Sequence, residues 1–131
     1  MKGSILLVED ETRLAKLMAL ELSEAGYDVT IASDGLRGLE QAKTLAPDVL
    51  LLDWSLPKLT GLDICAKLRT AGDAVPIIFV TSRAEDEYKA IALEAGANDY
   101  LMKPFNINAL LDKISTFFTP AMSPAMSPAV D

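Results

Sequence analysis

Four short apolar stretches of this chain each end in residues able to do chemistry. Glu9 and Asp10 follow the run 4–8, Asp53 follows 49–52, Thr81 and Ser82 follow 77–80, and Lys103 follows 100–102. Carboxylates crowded into a partly desolvated space repel one another. A divalent cation relieves that repulsion, and an all-oxygen, carboxylate-rich site suits Mg²⁺ or Mn²⁺. The same cation would neutralise a phosphoryl group arriving beside a carboxylate nucleophile. In such a site Asp53 is the nucleophile and the product is an acyl phosphate. Lys103 adds a point positive charge for the phosphoryl oxygens, and the Thr81 hydroxyl can donate a hydrogen bond to one of them. Taken singly, each residue has a plainer role: a turn-forming Asp, acids favouring a helix N-terminus, a hydroxyl cap, a solvated lysine. Those roles leave unexplained why all four fall at comparable points of the pattern.

The elements that must position them alternate regularly. The run 4–8 is followed by Leu14, Leu17, Met18, Leu22 and Ala25 at helical spacing, closed by Gly26. Residues 28–32 alternate polar and apolar, with Val29 and Ile31 on one face, as expected of a strand near a sheet edge. Gly35–Leu45 is helical around Leu36, Leu39 and Ala42 and ends before Pro47. Val49–Leu52 predicts a third strand, a loop over 55–60 holds Pro57, and 62–71 predicts a helix. Strand 77–80, helix 85–95, strand 100–102 and helix 107–118 complete the series. Five strands alternating with five helices predict an α/β fold: a doubly wound, parallel five-stranded sheet covered on both faces. Sites in such sheets form beyond the carboxyl ends of the strands, near the point where strand order reverses. All of the residues singled out above belong to that edge. The tail repeats Ala-Met-Ser-Pro at 121–124 and 125–128, so 1–118 is expected to form the domain and 119–131 a flexible linker.

Composition narrows the alternatives. The chain has 131 residues, half of them hydrophobic and 24% charged, which fits one globular domain. Its net charge of −7 argues against this domain binding nucleic acid by itself. With no histidine and a single cysteine, Cys65, zinc sites and His-dependent nucleophilic systems are excluded, as is an internal phosphohistidine. Cys65 is expected to fill a small apolar core position. No apolar run is long enough to cross a bilayer and no secretory signal is visible, so no membrane role and a cytoplasmic location are expected.

These residues resemble the receiver domain of bacterial two-component response regulators. The resemblance spans about residues 4–118 and rests on ILLVEDE at 5–11, PDVLLLDWSLPKLTGLDIC at 47–65, VPIIFVTSRAE at 75–85 and AGANDYLMKPF at 95–105. It implies a flavodoxin-like (βα)5 fold with strand order 2-1-3-4-5. Asp53 is implied as phosphoacceptor; Glu9 and Asp10, with Asp53 and the backbone carbonyl of Ser55, as the Mg²⁺ site; and Lys103 as the partner of the phosphoryl group. A cis bond is implied between Lys103 and Pro104. Thr81 and Tyr100 match the family's switch pair, and the helix 4, strand 5 and helix 5 surface would carry the response to an output domain or effector. The implied phosphodonor is a sensor histidine kinase or a phosphotransfer protein. The implied protein is no enzyme beyond assisting its own phosphorylation and dephosphorylation. The second half, including Asp99, is similar to receivers of winged-helix transcription regulators, which implies a homodimer formed on phosphorylation. Helix 5 here offers Lys113 as its cation and carries Ala109 where that group usually has an acid. Ser55 and Arg83 flank the site and are expected to influence phosphoryl lifetime.

Three other readings fit less well. A phosphatase of the aspartyl-nucleophile type wants a second Asp two residues after the nucleophile, where Ser55 stands. A flavin-binding loop would not carry Glu9-Asp10-Glu11, which repel a phosphate. A receiver used only as an unphosphorylated docking module does not require the intact set of site residues.

Overall fold

The computed structural model describes residues 2–82 and 86–118; Arg83 and the expected tail at 119–131 lie outside the described residues. Ten elements alternate along the chain: β1 (Gly3–Val8), α1 (Thr12–Glu24), β2 (Tyr27–Ala32), α2 (Gly35–Leu45), β3 (Val49–Leu52), α3 (Gly61–Thr70), β4 (Ile77–Thr81), α4 (Asp86–Glu94), β5 (Asp99–Met102) and α5 (Ile107–Ser115). All sheet pairings are parallel and the order is β2-β1-β3-β4-β5. Strand order therefore reverses between β1 and β3, which places the crevice at the ends carrying Glu9 and Asp53.

Period-2 alternation divides the apolar strands between two faces. Leu6, Val8, Leu50, Leu52, Ile77 and Phe79 pack with Ile64, Cys65 and Leu68 of α3 and Ala92 of α4. Ile5, Leu7, Val49, Leu51, Ile78 and Val80 pack with Met18 and Leu22 of α1 and with Leu110 and Ile114 of α5. Burial on both faces is why β1, β3 and β4 read as unbroken apolar runs. Cys65 is fully buried and its thiol pKa is raised by that burial, as befits a core position. β2 is an edge strand as expected, and the face that Val29 and Ile31 share is covered at one end only. Tyr27 and Ala32 are buried and Val29 is partly so, while Ile31, beside the first turns of α1, stays 38% exposed.

The helix ends follow local chemistry. Glu11 accepts from the amides of Arg13 and Leu14 at 3.0 and 3.1 Å, Asp34 from Arg37 at 2.8 Å, and Thr60 from Asp63 at 3.1 Å. α5 stops at Ser115 rather than running to residue 118. Its chain tightens instead: Phe117 and Phe118 donate to the carbonyls of Ile114 and Ser115, three residues back. That turn lays Phe118 against Tyr27, ring centroids 5.2 Å apart, and over Gly3, where a Cβ would lie 2.1 Å from the Phe118 ring.

One side chain ties several connections together. The Arg69 guanidinium donates to the carbonyls of Gly96 (3.0 Å), Asp73 (2.8 Å) and Val75 (2.8 Å) and to Asn98 Oδ1 (3.1 Å). It thus joins the end of α3 to the loops before β4 and β5. Truncation would leave these acceptors short of a charged donor, so Arg69→Ala is expected to lower stability by about 2–3 kcal/mol in urea unfolding. Arg69→Lys, which cannot span the same fork, is expected to recover less than half of that.

Candidate functional site

The site is assembled by backbone pairing at the carboxyl ends of the strands. The Asp53 amide donates to the Val8 carbonyl at 3.1 Å, Glu9 to Ala32 at 3.0 Å, and Lys103 to Thr81 at 2.8 Å. Two close approaches shape the β3–α3 loop. The Gly61 amide donates to the Trp54 carbonyl, and a Cβ on Gly61 would lie 2.1 Å from the Asp53 carbonyl oxygen. At the start of α2 the Gly35 amide donates to Pro57, and a Cβ there would meet the Leu59 carbonyl at 1.8 Å. Glycine is required at both positions for the loop to seat.

Glu9, Asp10 and Asp53 each present a carboxylate oxygen, and these oxygens lie within 4.8 Å of one another. Glu9 and Asp53 are buried, at 2% and 7% exposure, while Asp10 faces solvent. Hard anionic oxygens at that spacing, with one open side, fit a Mg²⁺-like cation. Lys103 Nζ sits 2.6 Å from Glu9 Oε1 and 3.2 Å from Asp53 Oδ2, so one ammonium bridges two buried carboxylates. The lysine is therefore not the solvated loop residue it could have been by itself. The Lys103–Pro104 peptide bond is cis. The Ser55 amide approaches Asp53 Oδ1 at 3.4 Å, a long contact. Thr81 ends β4 with 1% exposure, five residues before α4 begins at Asp86.

Burial raises the pKa of Glu9, outweighing the hydrogen bonds from Lys103 and the Glu11 amide. For Lys103 burial acts to lower the pKa, but the Glu9 hydrogen bond and the charges of Asp53 and Glu9 outweigh it and the ammonium is favoured. The carboxylate at Glu9 therefore depends on Lys103 for its charge compensation.

Tyr100 is buried and its ring stacks on Phe79, centroids 6.1 Å apart at 16°. Trp54 packs rather than opening to solvent: it is 9% exposed, with its ring 5.6 Å from Phe79 and 5.3 Å from Tyr88, the latter edge-on at 82°. Phe79 and Tyr88 did not stand out in the sequence, since one aromatic in an apolar strand and one on a short helix are ordinary core signals. An open apolar groove beside Lys103 was also missed: Leu14, Leu17 and Met18 of α1 face Pro104, Phe105 and Ile107 across about 570 Å³. On the opposite flank Lys113 Nζ lies 3.1 Å from both Asp99 oxygens, so the α5 cation is engaged within its own chain.

The ammonium bridge gives a stability prediction. Lys103→Met leaves the buried Glu9 charge uncompensated and is expected to cost about 2–3 kcal/mol at pH 8 in metal-free buffer. Glu9 then has a folded-state pKa raised further above its unfolded value. That penalty is absent below the unfolded pKa and grows as pH rises through the folded one. The destabilisation is expected to be clearly smaller at pH 5 than at pH 8, and paired urea titrations at the two pH values check it.

Known proteins agree with this geometry. Residues 5–115 match the response regulator receiver domain family. The chain is 44% identical over 110 residues to the response regulator ArlR of Staphylococcus saprophyticus, covering 84% of this chain and 50% of that protein. It is 42% identical over 106 residues to the alkaline phosphatase synthesis transcriptional regulatory protein PhoP of Bacillus subtilis, covering 81% and 44%. The chain thus spans about half the length of the curated relatives it matches. Among solved structures, the receiver domain of Francisella response regulator 1452 superposes with a TM-score of 0.86 at 30% identity, over 88% of this chain and 96% of that one. The BeF3-activated N-terminal receiver domain of Klebsiella pneumoniae RstA gives 0.83 at 32%, over 88% and 97%. Family match, strand order and relatives converge: this chain belongs to the response regulator receiver domains of two-component signalling systems.

Proposed function

We propose that this domain is a phosphorylation-driven switch in which Asp53 accepts a phosphoryl group from a phosphohistidine on a sensor histidine kinase or phosphotransfer protein. The observation that carries the reading is the gathering of Glu9, Asp10 and Asp53 oxygens within 4.8 Å, with Lys103 Nζ 3.2 Å from Asp53. An Asp53 oxygen attacks phosphorus, the donor's P–N bond breaks, and an acyl phosphate forms on Asp53. Glu9, Asp10, Asp53 and the Ser55 carbonyl are the groups that would hold Mg²⁺, or Mn²⁺. When bound, the cation supplies positive charge against the phosphoryl oxygens. Lys103 contributes its ammonium to the same oxygens, and Thr81 contributes its hydroxyl.

The output follows from a population shift. The acyl phosphate favours the arrangement in which Thr81 and Lys103 contact it, with Tyr100 turned into the core, and the face made by α4, β5 and α5 changes for its reader. That reader is an output domain, an effector protein or a second copy of the chain. The groove between α1 and the segment after β5 offers the donor protein an apolar seat beside Lys103. Residues 1–118 act as the receiver and 119–131 as a linker. The domain assists only its own phosphorylation and dephosphorylation, and with a net charge of −7 it leaves nucleic-acid contact to other parts of the protein. Among the described residues no helix is long and apolar enough to cross a membrane.

Intact mass after incubation with Mg²⁺ and acetyl phosphate tests the reading. One added phosphoryl group is expected on the wild type, none on Asp53→Asn, and none after chelation. Asp10→Asn is expected to raise the Mg²⁺ needed for half-maximal uptake at least roughly tenfold. A folded wild type that takes up nothing would assign the domain to phosphorylation-independent docking instead.

A further inference from the structure

We infer that Tyr88 is a positioning residue that moors α4 to the phosphoacceptor strand through Trp54, so that the position of α4 follows the state of Asp53. The inference rests on the switch reading above but concerns a contact that reading does not use.

α4 is held at few points. Of its nine residues only Ala92 is buried and only Tyr88 is half-buried; the other seven, Ile91 and Leu93 among them, are exposed. By comparison, α1 buries Ala15, Met18 and Leu22. Tyr88 and Ala92 are four residues apart and share one helix face. Ala92 anchors the second half of the helix, which leaves Tyr88 as the inward-facing residue of the first half. The Tyr88 ring rests edge-on against Trp54, centroids 5.3 Å apart. Trp54 is the residue directly after Asp53, and its carbonyl is held by the Gly61 amide at 3.0 Å. Its ring also lies 5.6 Å from Phe79, two residues before Thr81, and Phe79 stacks on Tyr100. The four rings thus form a continuous layer directly behind Asp53 and Thr81, and Tyr88 is the member of that layer that belongs to α4. A displacement of the β3 or β4 end at the site moves the surface on which α4 rests. A ring cannot slide over its neighbour without losing dispersion contacts.

The test uses the whole chain and two variants, Tyr88→Ala and Tyr88→Phe, with acetyl phosphate and Mg²⁺ as the phosphorylating probe. Loss of one ring pair loosens a local equilibrium about fivefold. In the unmodified protein, α4 amides of Tyr88→Ala are therefore expected to exchange about fivefold faster than wild type by hydrogen–deuterium exchange. Emission of Trp54, the chain's single tryptophan, is expected to shift to the red. Phosphoryl uptake by intact mass stays at the wild-type level. Phosphorylation changes α4 exchange in wild type and in Tyr88→Phe, but not in Tyr88→Ala. A Tyr88→Ala protein whose α4 still responds to phosphorylation as wild type does would overturn the inference. So would α4 exchange and Trp54 emission unchanged from wild type in the unmodified variant. Failure of wild type to take up a phosphoryl group would defeat the switch reading instead, and the mooring would then stand or fall on the comparison of the unmodified proteins.

Discussion

The interaction on which the site depends is a single half-buried ammonium shared by two carboxylates. Glu9 and Asp53 sit at the ends of adjacent strands, where the register pairing Val8 with Leu52 forces their backbones together. Both are nearly excluded from water, and the neighbouring Asp53 charge adds to the burial that raises the Glu9 pKa. Lys103, delivered from β5 across the end of β4, offsets that cost at 2.6 and 3.2 Å. The crevice is therefore electrostatically poised rather than merely acidic. A divalent cation and a phosphoryl group arriving together would leave the lysine a new anionic partner without removing it from the site.

Around this centre the backbone admits few alternatives. Gly61 lets α3 begin against the Asp53 carbonyl, and Gly35 lets α2 begin against the Leu59 carbonyl, so the β3–α3 loop is held at both ends by packed backbone. Lys58 in that loop adopts a positive φ of 71° and places its ammonium 3.8 Å from Asp34, the cap of α2. A left-handed conformation at a non-glycine residue costs about 1 kcal/mol, which the surrounding contacts must offset. Behind the loop lies the aromatic layer of Trp54, Phe79, Tyr88 and Tyr100. The polar edge and the aromatic layer share Asp53–Trp54 as their junction, and the proposed coupling between phosphorylation and the α4–β5–α5 face passes through that dipeptide.

The order of elements, the apolar runs of the inner strands and the meeting of Glu9, Asp10, Asp53 and Lys103 at one edge were legible because each rests on local pattern. Burial on two faces leaves Val49–Leu52 and Ile77–Thr81 almost purely apolar, and the parallel α/β rule then places their following residues at one edge. The end of α5 was not legible, since Phe117 and Phe118 continue the apolar spacing while the chain has already tightened its last turn to pack Phe118 on Gly3. Ile31 misled for a similar reason: period-2 alternation names a face, but whether a helix covers that face at an edge strand depends on where the helix starts.

By itself, the sequence determined which groups could do chemistry, that a hard cation suits them, and that a parallel sheet would align them, because side-chain chemistry and periodicity are properties of short stretches. Tertiary structure alone decided that Glu9 shares its charge with Lys103, 94 residues away, as well as standing among the acids that could hold a metal ion. It also decided that Trp54 faces Tyr88 rather than the solvent. Both facts depend on which strands become neighbours and how far each helix lies from the sheet, and such distances are set by packing of the whole core.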